Sequence, residues 1–156
     1  MSLRLITSLL CLAILAACNQ EPETQSCRSL TYKNQPFTVC TFEAESHFRL
    51  WLMHPDGEPY GQFDRLAEQV SKAGHTLLFA MNGGMYHQDR RPVGLYIEYN
   101  NQIAPLVTRP GPGNFGLLPN GVFWIDQAGA PHITESLTFQ SSVEEPLYAT
   151  QSGPML

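Results

Sequence analysis

Apolar residues recur with helical spacing in one stretch of this chain, residues 62–73. The residues at positions i, i+3, i+4 and i+7 form one apolar stripe: Phe63, Leu66, Ala67 and Val70. An acidic residue in the first turn, Asp64, and a basic residue near the end, Lys72, suit the helix dipole. Gly74 is typical of the position just after a helix end. The pattern predicts one amphipathic helix that packs on a sheet.

Most of the remaining chain consists of short runs rich in β-branched and aromatic residues, separated by turn residues. These runs predict strands at residues 29–32, 36–43, 76–81, 94–99, 103–108, 121–126, 132–135 and 148–151. Turns are predicted at residues 33–35 and at Asn100-Asn101. Twelve glycines and twelve prolines also favour a turn-rich fold over a helical bundle. We predict an α+β fold, mostly antiparallel or mixed β-sheet with one main helix.

The apolar run at residues 76–81 predicts a short buried strand, and it ends at Asn82-Gly83-Gly84, which we call the signature turn. All three residues of this turn tolerate positive φ. A charged loop follows at residues 87–91, and the next strand begins at Gly94. Backbone N–H groups and titratable side chains thus meet at one strand end, where binding and catalytic groups often lie. The alternative is a β-connection whose glycines only serve the turn.

The first seventeen residues have the pattern of a lipoprotein signal peptide. Residues 5–15 form an apolar stretch too short for a stable membrane-spanning helix, and Leu15-Ala16-Ala17-Cys18 is a lipobox. We predict acylation of Cys18, which would anchor the protein to a membrane, with residues 18–28 as a flexible tether. Asn19 favours the outer membrane of a Gram-negative cell, facing the periplasm, over inner-membrane retention. The alternative is a plain secretory signal with an incidental cysteine.

Length and charge limit the kinds of partner that we expect. Removal of the first 17 of the 156 residues leaves 139, which suits one domain. The formal net charge of −5 becomes −6 when Arg4 is removed with the signal peptide. This acidic balance argues against nucleic acid and against a polybasic membrane surface.

Two of the four cysteines remain after Cys11 leaves with the signal peptide and Cys18 carries lipid. In an oxidising compartment this even pair, Cys27 and Cys40, predicts a disulfide. The alternative is two separate buried thiols. No Cys-x-x-Cys pattern and no zinc-binding histidine spacing occurs, so the sequence predicts neither a metal site nor a cofactor.

Four stretches resemble, in the same order, the phosphodiester glycosidase family, the bacterial relatives of the mammalian uncovering enzyme. They are residues 79–100 around the signature turn, Asn114-Phe115-Gly116, residues 119–124 and residues 149–156. The resemblance implies hydrolysis of a sugar that is joined through its anomeric carbon to a phosphodiester. The expected partner is therefore a sugar-phosphodiester or glycan substrate.

Family members continue for roughly as much chain again after the segment at 149–156. The continuation normally carries an arginine-containing segment and an Asp-Gly-Gly-like motif. The resemblance therefore implies that residues 29–156 are the N-terminal portion of such a domain and that the domain is incomplete. An incomplete domain would leave the strand at 148–151 without its neighbours, as an exposed edge.

The resemblance also implies site residues. Those carried over are Asn82, Gly83, Gly84, Gly94, Gln151, Ser152, Gly153 and Pro154. We expect Asn82 and Ser152 to donate or accept hydrogen bonds at the sugar or phosphate. We expect the glycines to let the backbone approach the anion closely.

A sugar-phosphate diester also requires positive charge at the phosphate and a group that manages protons at the glycosidic bond. The candidate cations are Arg90, Arg91 and Arg109, each of which is alternatively a solvated surface residue. The proton-transfer candidates are His87, Asp89 and, less strongly, Glu98. Asp89 alternatively shapes its loop, and Glu98 is alternatively a solvated edge residue.

A second hypothesis is a non-catalytic lipoprotein that binds periplasmic glycan or supports envelope assembly. Its candidate sugar-stacking residues are Trp51, Tyr60, Phe63, Trp124 and Tyr148, and core packing is the usual role of such side chains.

Overall fold

The computed structural model describes residues 26–43, 47–142 and 145–155. The signal peptide, Cys18 and the first part of the predicted tether lie outside the described residues. The chain divides into two compact units, residues 1–41 and residues 42–156.

The described part of the first unit is a β-hairpin. Strands β1 (Ser26–Tyr32) and β2 (Gln35–Thr41) pair antiparallel. Lys33 and Asn34 have φ of 46° and 60°, as the tight turn of a two-residue hairpin requires. Cys27 lies directly opposite Cys40, and the predicted disulfide between them is confirmed. Because β1 pairs from Ser26 onward, residues 26–28 belong to the strand and not to the tether.

The predicted helix is confirmed in the second unit as α1 (Phe63–Lys72). Gly74 follows it with φ of 80°, and its N–H donates to the carbonyl of Ser71 (2.9 Å). The N–H of His75 donates to the carbonyl of Val70 (3.1 Å), so the last carbonyls of the helix are capped by the chain that leaves it. No helix in the described residues is both long and apolar enough to cross a membrane.

Five strands of the second unit form one antiparallel sheet. They are β3 (Tyr96–Glu98), β4 (Asn101–Ala104), β5 (Gly121–Ile125), β6 (Pro131–Glu135) and β7 (Tyr148–Ser152). Their order in the sheet is β4-β3-β7-β5-β6. The strand predicted at residues 148–151 is therefore central, paired with β3 on one side and β5 on the other. The expectation that it would be an exposed edge is wrong.

One face of the sheet carries a compact apolar core. The core residues are Leu95, Ile97, Val122, Trp124 and Ala149, with Leu106 and Phe139 packed against them. Phe139 belongs to a second, six-residue helix that the sequence did not predict, α2 (Ser136–Ser141), which contacts β5 and β6. The carboxylate of Glu135 caps this helix by accepting the N–H of Thr138 (2.9 Å). The predicted α+β fold, mostly antiparallel sheet with one main helix, is confirmed.

Two strand predictions differ from the structure. Residues 76–81 form no strand, and Leu78, Phe79 and Met81 are 67%, 43% and 69% exposed. This run has no hydrogen-bonded neighbour strand among the described residues, so the expectation of a buried strand is wrong. β4 starts earlier than predicted because the hairpin turn is at Tyr99 and Asn100, which have φ of 50° and 62°.

Candidate functional site

The segments that carry the family resemblance meet around the end of β7. A Cβ added at Gly84 would lie 2.5 Å from the hydroxyl of Thr150, and one added at Gly94 would lie 2.5 Å from Oε1 of Gln151. The Gly94 position also touches the ring of Phe115, at 2.5 Å from Cζ. We call this meeting point the β7 junction.

Gly153 joins the same junction from the C-terminal side. A Cβ at this position would lie 3.0 Å from Cβ of Asn120, 3.1 Å from the carbonyl of Phe115 and 3.3 Å from that of Asn114. All four stretches that resemble the family therefore contribute a residue to the β7 junction. The fold brings together residues that are far apart in the sequence.

The glycines of the signature turn allow neighbouring side chains to approach the backbone closely, and they do not adopt positive φ. Gly83 and Gly84 both have backbone angles outside the left-handed region, as does Asn82. A Cβ at Gly83 would lie 3.2 Å from a methyl group of Leu50, while Gly84 faces Thr150. The three residues tolerate positive φ but do not adopt it here, and the constraint on the two glycines comes from neighbouring side chains.

Gln151 is the hydrogen-bonding centre of the junction and is 1% exposed. Its Oε1 accepts the backbone N–H groups of Leu95 (3.1 Å) and Val107 (3.0 Å). Its Nε2 donates to the carbonyl of Val107 (2.6 Å), to Oδ1 of Asn120 (3.2 Å) and to Oγ of Ser136 (3.0 Å). The side-chain amide is thus fully engaged inside the protein, and Gln151 contributes to the site by holding its neighbours in place.

Two further buried residues extend this network, and the sequence had given neither of them a role. Nδ2 of Asn120 donates to the carbonyl of Phe115 (3.2 Å), and Oγ of Ser136 donates to the carbonyl of Asn120 (3.0 Å). Both side chains are almost completely buried. Asn120 lies in a stretch that resembles the family, but nothing in the pattern around Ser136 marks it as buried.

Asn82 and Ser152 are exposed beside these buried groups. Neither side chain has a hydrogen-bond partner among the described residues, so both are available to a ligand. Ser152 and Gly153 line an apolar cleft of about 360 Å³ together with Phe123, Ile133 and other residues. The neutral polar groups expected at a sugar or phosphate therefore lie at the surface.

The loop at residues 85–93 holds the predicted charged groups. Its backbone is closed by hydrogen bonds from the N–H of His87 to the carbonyl of Arg91 (2.9 Å) and from the N–H of Arg90 to the carbonyl of His87 (2.9 Å). Oδ2 of Asp89 pairs with Nε of Arg91 at 2.6 Å, and Oδ1 accepts the N–H of Arg91 (3.1 Å). These hydrogen bonds from Arg91 hold the pKa of Asp89 below its ordinary value.

The contacts of His87 and Asp89 within the described residues stay inside this loop. Asp89 and Arg91 satisfy each other, and the guanidinium of Arg90 lies over the ring of Tyr86 (4.9 Å). No such contact joins these groups to the β7 junction.

Arg109 is the candidate cation that lies next to the junction. It lines a cleft of about 350 Å³ whose other walls include Val93, Val107 and Phe115. It is exposed and makes no ion pair with any residue that the structure describes. Its charge is therefore not neutralised by a neighbouring carboxylate.

Glu98 is a half-buried residue of β3 and not a solvated edge residue, because β3 lies between β4 and β7. Burial raises the pKa of its carboxyl group, against the opposing effect of the hydrogen bond from the hydroxyl of Tyr96. Burial likewise raises the pKa values of Tyr96 and Tyr148. The two phenols are thus neutral at physiological pH.

The aromatic residues considered for sugar stacking lie mainly in the interior. Tyr60, Trp124 and Tyr148 are buried, and Trp51 is half-buried against Tyr60 with a ring separation of 5.8 Å. Phe63 is exposed. Among the described residues there is no group of three or more His, Cys, Asp or Glu side chains that could hold a metal ion.

Over 110 residues the chain is 36% identical to the uncharacterized protein YigE of Escherichia coli (strain K12). The match takes in 69% of this chain and 41% of YigE, so the chain spans less than half the length of this relative. No protein-family model matches the chain. No solved structure matches it either.

Proposed function

We propose that this chain forms part of a cell-envelope hydrolase of the phosphodiester glycosidase type. Its substrate class is a sugar whose anomeric carbon is linked to a phosphodiester. The observation that carries the proposal is the β7 junction, where all four stretches that resemble the family meet. Glycines that served only their own turns would not need to lie so close to residues of distant segments, as Gly84 lies to Thr150 and Gly94 to Gln151.

The chemistry of the junction suits a neutral sugar next to an anion. Asn82 and Ser152 offer unpaired polar side chains, and Arg109 offers a positive charge that is not neutralised by a described neighbour. Hydrogen-bond donors and a cation are what a phosphodiester requires as charge develops on its oxygens. The Gln151 network beneath them keeps the backbone of Leu95 and Val107 fixed.

Asp89 suits only one of the two proton-transfer roles. Because its pKa is lowered by Arg91, its carboxylate is ionised at neutral pH. It can therefore accept a proton from an attacking water, but it has no proton to give to a leaving group. In this proposal His87 is the candidate that donates a proton to the leaving group.

The test is release of free sugar from a sugar 1-phosphodiester by the protein purified from its own cells. Asn82→Ala should abolish turnover while the far-ultraviolet circular dichroism and the thermal midpoint stay unchanged, because the side chain is exposed. Asn101→Ala is the matched control, since Asn101 is also an exposed asparagine but lies at the start of β4. Full activity in Asn82→Ala would defeat the assignment.

A second candidate function is a lipoprotein that binds periplasmic glycan without turning it over. The observation in its favour is that, within the described residues, the contacts of His87 and Asp89 do not reach the β7 junction. Recovery of the bound sugar 1-phosphodiester unchanged after prolonged incubation would support this function over hydrolysis.

A further inference from the structure

The dipeptide Asn-Gly occurs twice in the sequence, at Asn82-Gly83 and at Asn120-Gly121. Asparagine is a thermolabile residue, because the backbone nitrogen of the following residue can attack its side-chain amide. A glycine in that following position has no Cβ to obstruct the attack. Both asparagines therefore have the same local chemistry, and a difference in their reactivity comes from the fold.

The fold leaves the first dipeptide open. Asn82 and Gly83 are both exposed and belong to no helix or strand. Among the described residues, neither the side chain of Asn82 nor the N–H of Gly83 has a hydrogen-bond partner. The attacking nitrogen and the amide that it attacks therefore have no hydrogen bond to a described residue that must break before they meet.

The same fold closes the second dipeptide. The side chain of Asn120 is fully buried, its Nδ2 donates to the carbonyl of Phe115 (3.2 Å), and its Oδ1 accepts a hydrogen bond from Nε2 of Gln151 (3.2 Å). Gly121 is the first residue of β5 and pairs with both β6 and β7. Asn120 can therefore react only when the β7 junction opens.

We propose that Asn82 is a site of spontaneous deamidation, a modification that the fold permits at this Asn-Gly step and slows at the other. The backbone nitrogen of Gly83 forms a bond to Cγ of Asn82, and the side-chain nitrogen leaves as ammonia with the proton of the attacking N–H. Water then opens the cyclic succinimide at either of its carbonyl groups. The products are aspartate and isoaspartate, and each carries a negative charge that the amide lacked.

Isoaspartate changes the backbone of the signature turn as well as its charge. Its peptide bond to Gly83 runs through the former side-chain carbonyl, so an extra atom enters the backbone. Gly83 and Gly84 follow directly, and they fit closely against Leu50 and Thr150. We therefore expect the modification to disturb the packing by which the signature turn joins the β7 junction.

The consequence for a ligand rests on the proposed function. A carboxylate at residue 82 repels the like charge of a phosphodiester that is bound at the signature turn. Asn82→Asp should therefore bind a sugar 1-phosphodiester roughly tenfold more weakly than wild type, and high salt should reduce the difference. Equal affinities would remove Asn82 from the proposed site, whereas the deamidation itself is measured independently of any ligand.

Mass spectrometry of the wild-type protein, purified from its own cells, tests the proposal. The protein is incubated at neutral and at mildly alkaline pH, and the peptides that contain Asn82 and Asn120 are followed over time. In the folded protein Asn82 should deamidate roughly a hundredfold faster than Asn120, because Asn120 must wait for a local opening of the junction. Incubation in urea is the matched control, since unfolding should bring the two rates within about threefold of each other.

Three results would overturn the proposal. The first is a similar rate at Asn82 and Asn120 in the folded protein. The second is an Asn82 that stays intact in the folded protein but deamidates in urea, which would mean that the fold holds the turn in an unreactive conformation. The third is deamidation at Asn82 without any isoaspartate, which would exclude attack by the nitrogen of Gly83.

Discussion

Replacing Gln151 by methionine, which has a similar length but no amide, should destabilise the protein strongly. The side chain would still fill its site, but all five hydrogen bonds of its amide would be lost. Two of the groups left behind have no access to water: the N–H of Leu95, in a residue that is 2% exposed, and Oδ1 of Asn120, which is fully buried. Val107 is half-buried, so water can replace part of the hydrogen bonding that its backbone loses.

The magnitude follows from these two orphaned groups. Each buried polar group without a partner costs about 1–3 kcal/mol, so we expect a loss of about 4 kcal/mol. That is a large fraction of the roughly 5–15 kcal/mol by which a typical domain is stable. With an m-value of about 1.5 kcal/mol/M, the midpoint of urea unfolding should fall by roughly 2.5 M.

Equilibrium urea unfolding of the wild type and of Gln151→Met measures this loss. Gln102→Met is the matched control, because Gln102 is an exposed glutamine of the same sheet with no side-chain hydrogen bond among the described residues. The control should stay within about 0.5 kcal/mol of wild type. Equal midpoints for Gln151→Met and wild type would refute the view that the Gln151 network holds the junction together.

Three further predictions each concern a single substitution. Gly94→Ala should cost about 1–3 kcal/mol in urea unfolding, because its Cβ would overlap the side chains of Gln151 and Phe115. Gly111→Ala should be close to neutral, because its Cβ would make only an ordinary van der Waals contact, 3.9 Å from Cα of Gly116. Equal effects of the two substitutions would contradict this reasoning. The hydrogen bond from His132 lowers the pKa of Asp126 below 3.8, so the stability that this interaction contributes is present above that pH and is lost as the pH falls. Asp126→Asn should therefore make the midpoint of urea unfolding depend less on pH in the acid range. An unchanged pH dependence would refute this reasoning. Labelling of the cells with palmitate should mark the wild-type protein and not Cys18→Ala, and persistent label would show that the lipobox prediction is wrong.

Local signals were sufficient for α1 and the disulfide. The apolar stripe and Gly74 belong to the helix itself, and Cys27 and Cys40 were the remaining pair in a short hairpin. The short helix α2 gave no comparable signal. Its sequence, SLTFQS, has no apolar periodicity, and the helix depends on packing of Phe139 and on the cap from Glu135.

The sequence indicated which segments form the site, but it did not indicate how these segments contact each other. The resemblance selected Gly84, Gly94 and Gln151, yet the reason for the glycines is contact with residues more than twenty positions away. Such contacts leave no trace in local propensity. A glutamine in a β-strand gives no indication that it is buried, so the role of Gln151 as an internal tie emerged only from the fold.

The apolar run at residues 76–81 failed as a prediction for a related reason. Hydrophobicity indicates that a segment gains free energy when it is covered, but it does not say what covers it. In the described residues no strand pairs with this run, and Leu78 and Met81 remain exposed.

Under the proposed function, the β7 junction binds a sugar 1-phosphodiester. Chemical-shift mapping of the whole chain during titration with such a compound tests it most directly. We expect the amide resonances of Asn82, Gly83, Gly84 and Ser152 to move together and saturate with one affinity. Those of the turn at residues 126–130, at the opposite end of β5 from Ser152, should stay in place. The β7 junction is not the binding site if saturating ligand leaves the resonances of the signature turn unmoved or shifts only residues away from the end of β7.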